Sequence, residues 1–397
     1  TGLFVASSPS LLLDGPAGNM MTSARGFVFM VVLFVMSLLY SVILLAPSCL
    51  LLIPISPPGL YLRTRRAYRR WAGFVGYLFF AAAAFLLEHF GGTKVKVTGD
   101  RVGFGETALI ICNHRTRVDW MYLWVLCLRQ GQLSGLKIVL KESLKGIPGF
   151  GWATQMLLFV FLKRDKSKDL QRVREISDYL VCLNVPTTLL IFPEGTDLSP
   201  SNLLKSLQFA KKEGLAEYQY VLHPKVKGFS ECMQALRPGL DAVHDVTIAY
   251  HNYKDGGPPS EKTLLAGKFP PEVHMHVTRY ASADLPTDDE ELQQWCREAF
   301  TVKEARLRDF HEGPRLFDRD HDGFDFDDGE AWRSGLLAVF FFVAFSAVMV
   351  FYGGKVFGWV CLVNICLCTL VTSLGGFDNL ELRWSRFSFG TPIEKQD

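Results

Sequence analysis

The sequence predicts an α/β domain with a central mixed sheet flanked by helices, set between N-terminal and C-terminal membrane helices. Three observations carry this. The run from Gly26 to Ile55 holds no charged residue, which exceeds the roughly 20 residues that a helix needs to cross a bilayer. Between about 91 and 312, short apolar runs alternate with charged helical patterns, as α/β domains require. Two further apolar runs, Gly335–Tyr352 and Val356–Leu374, are separated only by Gly353, Gly354 and Lys355.

Composition excludes other classes. Of 397 residues, 49% are hydrophobic and 21% charged, so the chain is neither disordered nor a low-complexity fibre. Lys+Arg 42 against Asp+Glu 40 leaves a net charge of +2, too little for a nucleic-acid partner. The nine cysteines form no C-x-x-C pair and are expected to be reduced and structural.

In chain order, 1–25 is an N-terminal extension whose first 19 residues are expected to be dispensable, with Met20 or Met21 a candidate start. Residues 26–90 hold two apolar segments, the second from Trp71 to Leu87. The first outlasts the 7–15 or so apolar residues of a signal peptide. Between them lie Arg63, Arg65, Arg66, Arg69 and Arg70, expected to face anionic cytoplasmic lipid. Two full crossings would put these arginines and the following domain on opposite sides. One segment is therefore expected to be re-entrant or interfacial, and Pro47, Pro54, Pro57 and Pro58 support a broken path.

Residues 91–312 form the sheet domain. VKVTG, ALIICN, LLFVFLK, TTLLIF, VTIAY and VHMHV read as strands, several apolar enough for burial on both faces. Helices are expected at Asp119–Arg129, Lys168–Leu183 and Leu203–Glu213. An acidic linker, 313–334, leads to an apolar hairpin, 335–376, and a tail, 377–397.

The chemistry-bearing residues sit at strand ends, where α/β sheets gather ligands. ALIICN runs into NHRTRVDW, placing His114 and Asp119 in an H-x4-D arrangement. A neutral imidazole serves as general base, and a carboxylate on its other nitrogen fixes the tautomer. Five residues along a continuous helix is a rotation of about 140°, so the two meet only if His114 precedes the helix. Thr116 is expected to supply its N-cap. The alternative is a capping box, in which Asp119 only ties down backbone donors. IFPEGTD ends another strand with Glu194, Gly195 and Thr196, and LLFVFLKRD places Arg164 at a third, where a guanidinium grips phosphate. An ordinary turn and a solvated strand end are the plain alternatives.

Together these motifs resemble the glycerophospholipid acyltransferase family, the 1-acylglycerol-3-phosphate acyltransferase-like enzymes, over roughly residues 70 to 310. LKESLKGIPGFGW, with Lys141, is similar to the family's second landmark, and YVLHPKVKGF resembles its fourth. VDWMYLWV, IFPEGTDLS and DAVHDVTIAY look most like the lysocardiolipin-type branch, which also carries Asp197 where EGTR is commoner. The resemblance implies transfer of a fatty acyl group from acyl-CoA, a co-substrate, to a lysophospholipid hydroxyl, with no cofactor or metal and the lipid bilayer as partner. His114 and Asp119 would be catalytic. Arg164, Glu194, Gly195, Thr196 and Lys141 would bind the acceptor, Glu194 through sugar-like hydroxyls or through Arg164. The expected setting is the endoplasmic reticulum membrane, with the domain facing the cytosol. Alternatives are a phosphatidic-acid-forming enzyme, a thioester hydrolase, or an idle lipid-binding protein.

Two motifs have plainer readings. FDRDHDGFDFDDGE begins like a calcium loop, but its twelfth position is Gly329, so a solvated linker is expected. His274 and His276 alternate along one strand with no third ligand evident, which favours packing over a metal.

Overall fold

The computed structural model describes residues 23–54, 58–103, 105–163, 165–251, 259–314, 316–317 and 328–389. Residues 318–327 of the calcium-like stretch and the first 22 residues lie outside the described residues.

Seven strands form one mixed sheet: β1 Lys94–Gly99, β2 Ala108–Cys112, β3 Leu136–Lys141, β4 Val160–Leu162, β5 Thr188–Ile191, β6 Ala242–His251 and β7 Glu272–Ala281. Their spatial order is β1-β7-β6-β2-β5-β3-β4. Strands β6, β2, β5, β3 and β4 run parallel, and β7 pairs antiparallel with β6. The C-terminal ends of β2, β5, β3 and β4 therefore share one edge. The sequence reading did not single out β3. LKIVLK is a short run with a lysine at each flank, but Lys137 is buried in it.

Expected helix positions hold closely: Asp119–Arg129, Lys166–Cys182 and Pro200–Glu213. The last has Ser199 as N-cap, Pro200 in its first turn and Gly214 in left-handed backbone as its stop.

Strand alternation sends Ile110 and Cys112 to one face of β2 and Leu109 and Ile111 to the other. The first pair joins a core built with Phe29, Tyr40, Tyr68, Ala81 and Trp124. The second joins Val173, Ile176, Phe229 and Phe300 on the helices of the opposite layer. The first of these cores contains the N-terminal apolar helices. They cover one face of the sheet as well as being long and apolar enough to cross a membrane.

Among the described residues, four helices are long and apolar enough to cross a membrane: Ala24–Leu52, Leu60–Phe90, Trp332–Met349 and Phe351–Ser373. Within the apolar 18-residue stretch of each helix, 44% and 56% is buried in the N-terminal pair but only 11% in each C-terminal helix. Pro47 is absorbed where a π-turn, Tyr40–Leu45, precedes a tighter turn, Cys49–Leu52. The C-terminal run Asp328–Ser373 breaks at Gly354, whose φ of 47° and ψ of −131° are open to glycine.

The arginine cluster departs from expectation. Arg65 and Arg69 are buried rather than lipid-facing. Arg65 donates to the Tyr179 hydroxyl and to the carbonyls of Glu381 and Leu52. Arg69 forms a 2.7 Å ion pair with Glu381, and Arg66 donates to the Leu183 carbonyl. Only Arg63 and Arg70 are exposed. Arg65 and Arg69, held by protein groups, cannot anchor headgroups, which leaves that role to the exposed pair. All nine cysteines are unpaired.

Candidate active site

The turn after β2 is fixed before its histidine is reached. Asn113 clamps β6 through both ends of its amide, donating to the Ile248 carbonyl at 3.1 Å and accepting from the Ile248 N–H at 2.8 Å. The helix starts at Asp119 with Val118 as N-cap, not Thr116, so His114 stands in the preceding turn and can fold back. His114 Nδ1 lies 3.0 Å from Asp119 Oδ2.

Asp119 accepts three more hydrogen bonds. The Thr116 N–H reaches Oδ2 at 2.9 Å, the Thr116 hydroxyl reaches Oδ1 at 3.1 Å, and the Tyr250 hydroxyl reaches Oδ1 at 2.6 Å. The capping alternative is thus partly realised, since Thr116 and Asp119 do bond; the carboxylate serves the imidazole as well. Burial, with the Asp119 charge beside it, pushes the Tyr250 phenol well up, so it stays a donor. With Nδ1–H committed to Asp119, the His114 lone pair sits on Nε2. That atom is buried and has no hydrogen-bond partner among the described residues. The ring stacks on Phe192, centroids 4.1 Å apart.

Glu194, from the turn after β5, is buried. Its carboxylate accepts from the backbone N–H of His114 at 2.8 Å and of Leu222 at 3.1 Å. Through both bonds Glu194 braces the histidine turn, while its expected partner Arg164 lies outside the described residues. Burial raises its pKa to about 7, opposed by the His114 N–H. Leu198 N–H donates to the His114 carbonyl at 2.8 Å, closing the two turns together.

Gly195 has φ +73°, a left-handed backbone that disfavours any side chain there. Thr196 Oγ1 accepts from Asn202 at 3.0 Å. Lys141 ends β3, half-buried on the same sheet edge. Arg164 lies outside the described residues.

Two arginines beside His114 were not singled out in the sequence reading. Arg117 Nε lies 3.8 Å from Asp197 Oδ2. Arg115 is half-buried and makes no hydrogen bond or ion pair among the described residues. Burial lowers its pKa, with Asp119 and Glu194 opposing. Their signal was in NHRTRVDW, where two cations flank the base in one turn. The larger cavities lie elsewhere: about 270 Å³ by Thr107, Lys137 and Asp241 at the opposite strand ends, and about 540 Å³ by Leu50, Trp359 and Trp384. Position at the strand ends and the His114–Asp119 geometry mark the site.

The family model described as acyltransferase matches residues 94–251, and that described as acyltransferase C-terminus matches 263–330. Lysocardiolipin acyltransferase 1 of Gallus gallus is 44% identical over 75% of this chain and 76% of its own length. The chain belongs to the acyltransferase family. The acyltransferase is also 42% identical to lysocardiolipin acyltransferase 1 of Danio rerio, over 75% of this chain and 74% of that protein. It is 36% identical to lysophosphatidylinositol acyltransferase 10 of Caenorhabditis elegans, over 63% and 64%. An acyltransferase domain containing His114, Asp119 and Glu194 agrees with the matched span, and the chain is an enzyme of acyl transfer.

Proposed function

We propose that this acyltransferase moves a fatty acyl group from acyl-CoA to a free glycerol hydroxyl of a phosphodiester lysophospholipid such as lysocardiolipin. One observation carries the mechanism: a buried imidazole, oriented by Asp119, whose Nε2 has no hydrogen-bond partner among the described residues. Nε2 takes the acceptor hydroxyl proton, and the oxygen bonds to the thioester carbonyl carbon. The carbon–sulfur bond then breaks, and the CoA thiolate recovers the proton from the imidazolium. Asp119 stabilises that imidazolium and Tyr250 holds Asp119. Glu194 acts by positioning the His114 backbone. Because the His114 side chain is fully covered, the acceptor reaches it only when the groups around it part.

Arg115, Lys141 and Arg164 are the cations proposed to meet the acceptor's phosphate, with Gly195 and Thr196 shaping the turn beside it. Asp197 supports a diester, since it adds a negative charge that faces Arg117 and disfavours a dianionic monoester. The names of the relatives above favour the same class. The domain is proposed to face the cytosol of the endoplasmic reticulum, where acyl-CoA is available.

The test is purified protein in lipid nanodiscs with labelled acyl-CoA and lysocardiolipin, lysophosphatidylinositol, lysophosphatidic acid or no acceptor. Labelled diacyl product, with lysophosphatidic acid the poorer acceptor, is expected. Release of free fatty acid alone would make the enzyme a hydrolase and defeat the proposal.

A further inference from the structure

The two alternating histidines of β7 acquire partners that spacing could not reveal. In the antiparallel register, His251 at the end of β6 lies opposite Glu272, and His274 stands two residues further along on the same face. One ligand atom from each of His251, Glu272 and His274 lies within 4.8 Å of the other two. His274 Nε2 is 3.2 Å from Glu272 Oε2. His251 Nδ1 is buried with no hydrogen-bond partner among the described residues, and such an orphan is costly unless something fills its lone pair or takes its proton.

We propose that His251, Glu272 and His274 bind one Zn²⁺ ion, with water completing the shell. Two imidazoles and a carboxylate suit zinc, whereas calcium and magnesium prefer oxygen ligands throughout. Tetrahedral zinc at about 2.0–2.1 Å draws its ligand atoms to roughly 3.4 Å apart. Side-chain torsions of His251 and Glu272, both only half-buried, supply that closure. The competitor is Lys96, whose ammonium lies 3.1 Å from Glu272 Oε2. Its side chain is 45% exposed, so that pair is weak and yields to a divalent ion. Phe310 and Phe317, with ring centroids 5.1 and 6.4 Å from that of His274, wall the site on its inner side. His276 does not belong to this close group of ligand atoms, and its Nδ1 is engaged with Thr98 Oγ1 at 3.1 Å.

The ion would fasten the end of β6 to the start of β7. Residue 250, next to the proposed ligand His251, is the tyrosine that supports Asp119 from the other face of the strand. The site therefore stabilises the strand behind the catalytic turn without approaching the reacting atoms.

The test uses tag-free, full-length protein in nanodiscs, stripped with a chelator and titrated calorimetrically with ZnCl₂. About one equivalent is expected, lost in His251→Ala and in His274→Ala and retained in His276→Ala. Glu272→Gln, which preserves shape, should weaken binding at least tenfold if the alanine variants fold poorly. Zinc should raise the Tm of the unmodified protein and leave that of His274→Ala unmoved. X-ray absorption should report nitrogen and oxygen donors only. Sulfur in the zinc shell, undiminished binding in His274→Ala, or no binding by the unmodified protein would each overturn the assignment.

Discussion

Two buried histidines on neighbouring segments of the sheet each hold a carboxylate, and they differ in what else the carboxylate holds. His114 Nδ1 meets Asp119 at 3.0 Å, and His244 Nε2 meets Glu106 at 3.1 Å. Each leaves its other ring nitrogen buried without a hydrogen-bond partner among the described residues. Glu106, however, also takes the Arg279 guanidinium at 2.9 Å. Burial alone would raise its pKa, but the bonds from Arg279 and His244 hold it below its ordinary value. Burial also lowers the His244 pKa, against the pull of Glu106. Asp119 has only uncharged donors and His114, with no ion pair to a guanidinium among the described residues. The Glu106 anion is already satisfied at rest. Asp119 gains a directly bonded cation only when His114 takes a proton, which is when a general base needs help.

The largest contrast is expected from alanine. His114→Ala should cost about 10²–10⁴-fold or more in rate, while His244→Ala should stay within a few-fold and show its effect in Tm. Equal losses of rate would erase the distinction between the pairs. Next, Asp119→Asn should cost at least about 10²-fold by leaving the imidazole in the wrong tautomer, whereas Glu106→Gln should mainly lower stability; rate and Tm measured together decide it. Tyr250→Phe, which removes one donor to Asp119, should fall between, near tenfold.

Glu194 sharpens the comparison from behind His114. Glu194→Gln puts an amide donor against one of two backbone N–H groups, at a cost of about 1–3 kcal/mol. Because burial raises the Glu194 pKa from 4.5 to about 7, the folded state holds its proton more tightly than the unfolded chain. That contribution is fully present below about pH 4.5 and is lost as pH rises to about 7. Melting curves across this window should show the slope in the unmodified protein and not in the glutamine variant. The smallest effect is expected from the two arginines: Arg115→Ala should raise KM for the lysolipid several-fold with little change for acyl-CoA, and Arg279→Ala should leave both KM values alone. A rise for acyl-CoA alone would place Arg115 at the donor.

Much of this was legible in the chain. ALIICN and TTLLIF are apolar without alternation because both faces are covered, and the pattern registers that directly. H-x4-D was legible because its geometry forces the histidine ahead of the helix. Tyr250 and Asn113 were not, since their partners Asp119 and Ile248 lie 131 and 135 residues away. Glu194 was placed correctly at a strand end, but whether a carboxylate faces a cleft or a backbone depends on the neighbouring turn. The arginine cluster misled for a similar reason: a charge between apolar runs reads as a headgroup anchor until the carbonyls and Glu381 that receive it are known.

That ion pair has a consequence in time. Glu381 is 312 residues downstream of Arg69, so the helix carrying Arg65 and Arg69 is synthesised long before the anion that neutralises its buried charge. Until then the guanidinium groups have only carbonyls or water to hold, and leaving a charge unpaired in an apolar core costs several kcal/mol. The layer of the sheet that contains this helix therefore cannot reach its final packing during synthesis of the catalytic motifs. The helix Phe377–Phe389 thus acts as a latch on the helix that carries Arg65 and Arg69, made after the strands and turns of the catalytic site.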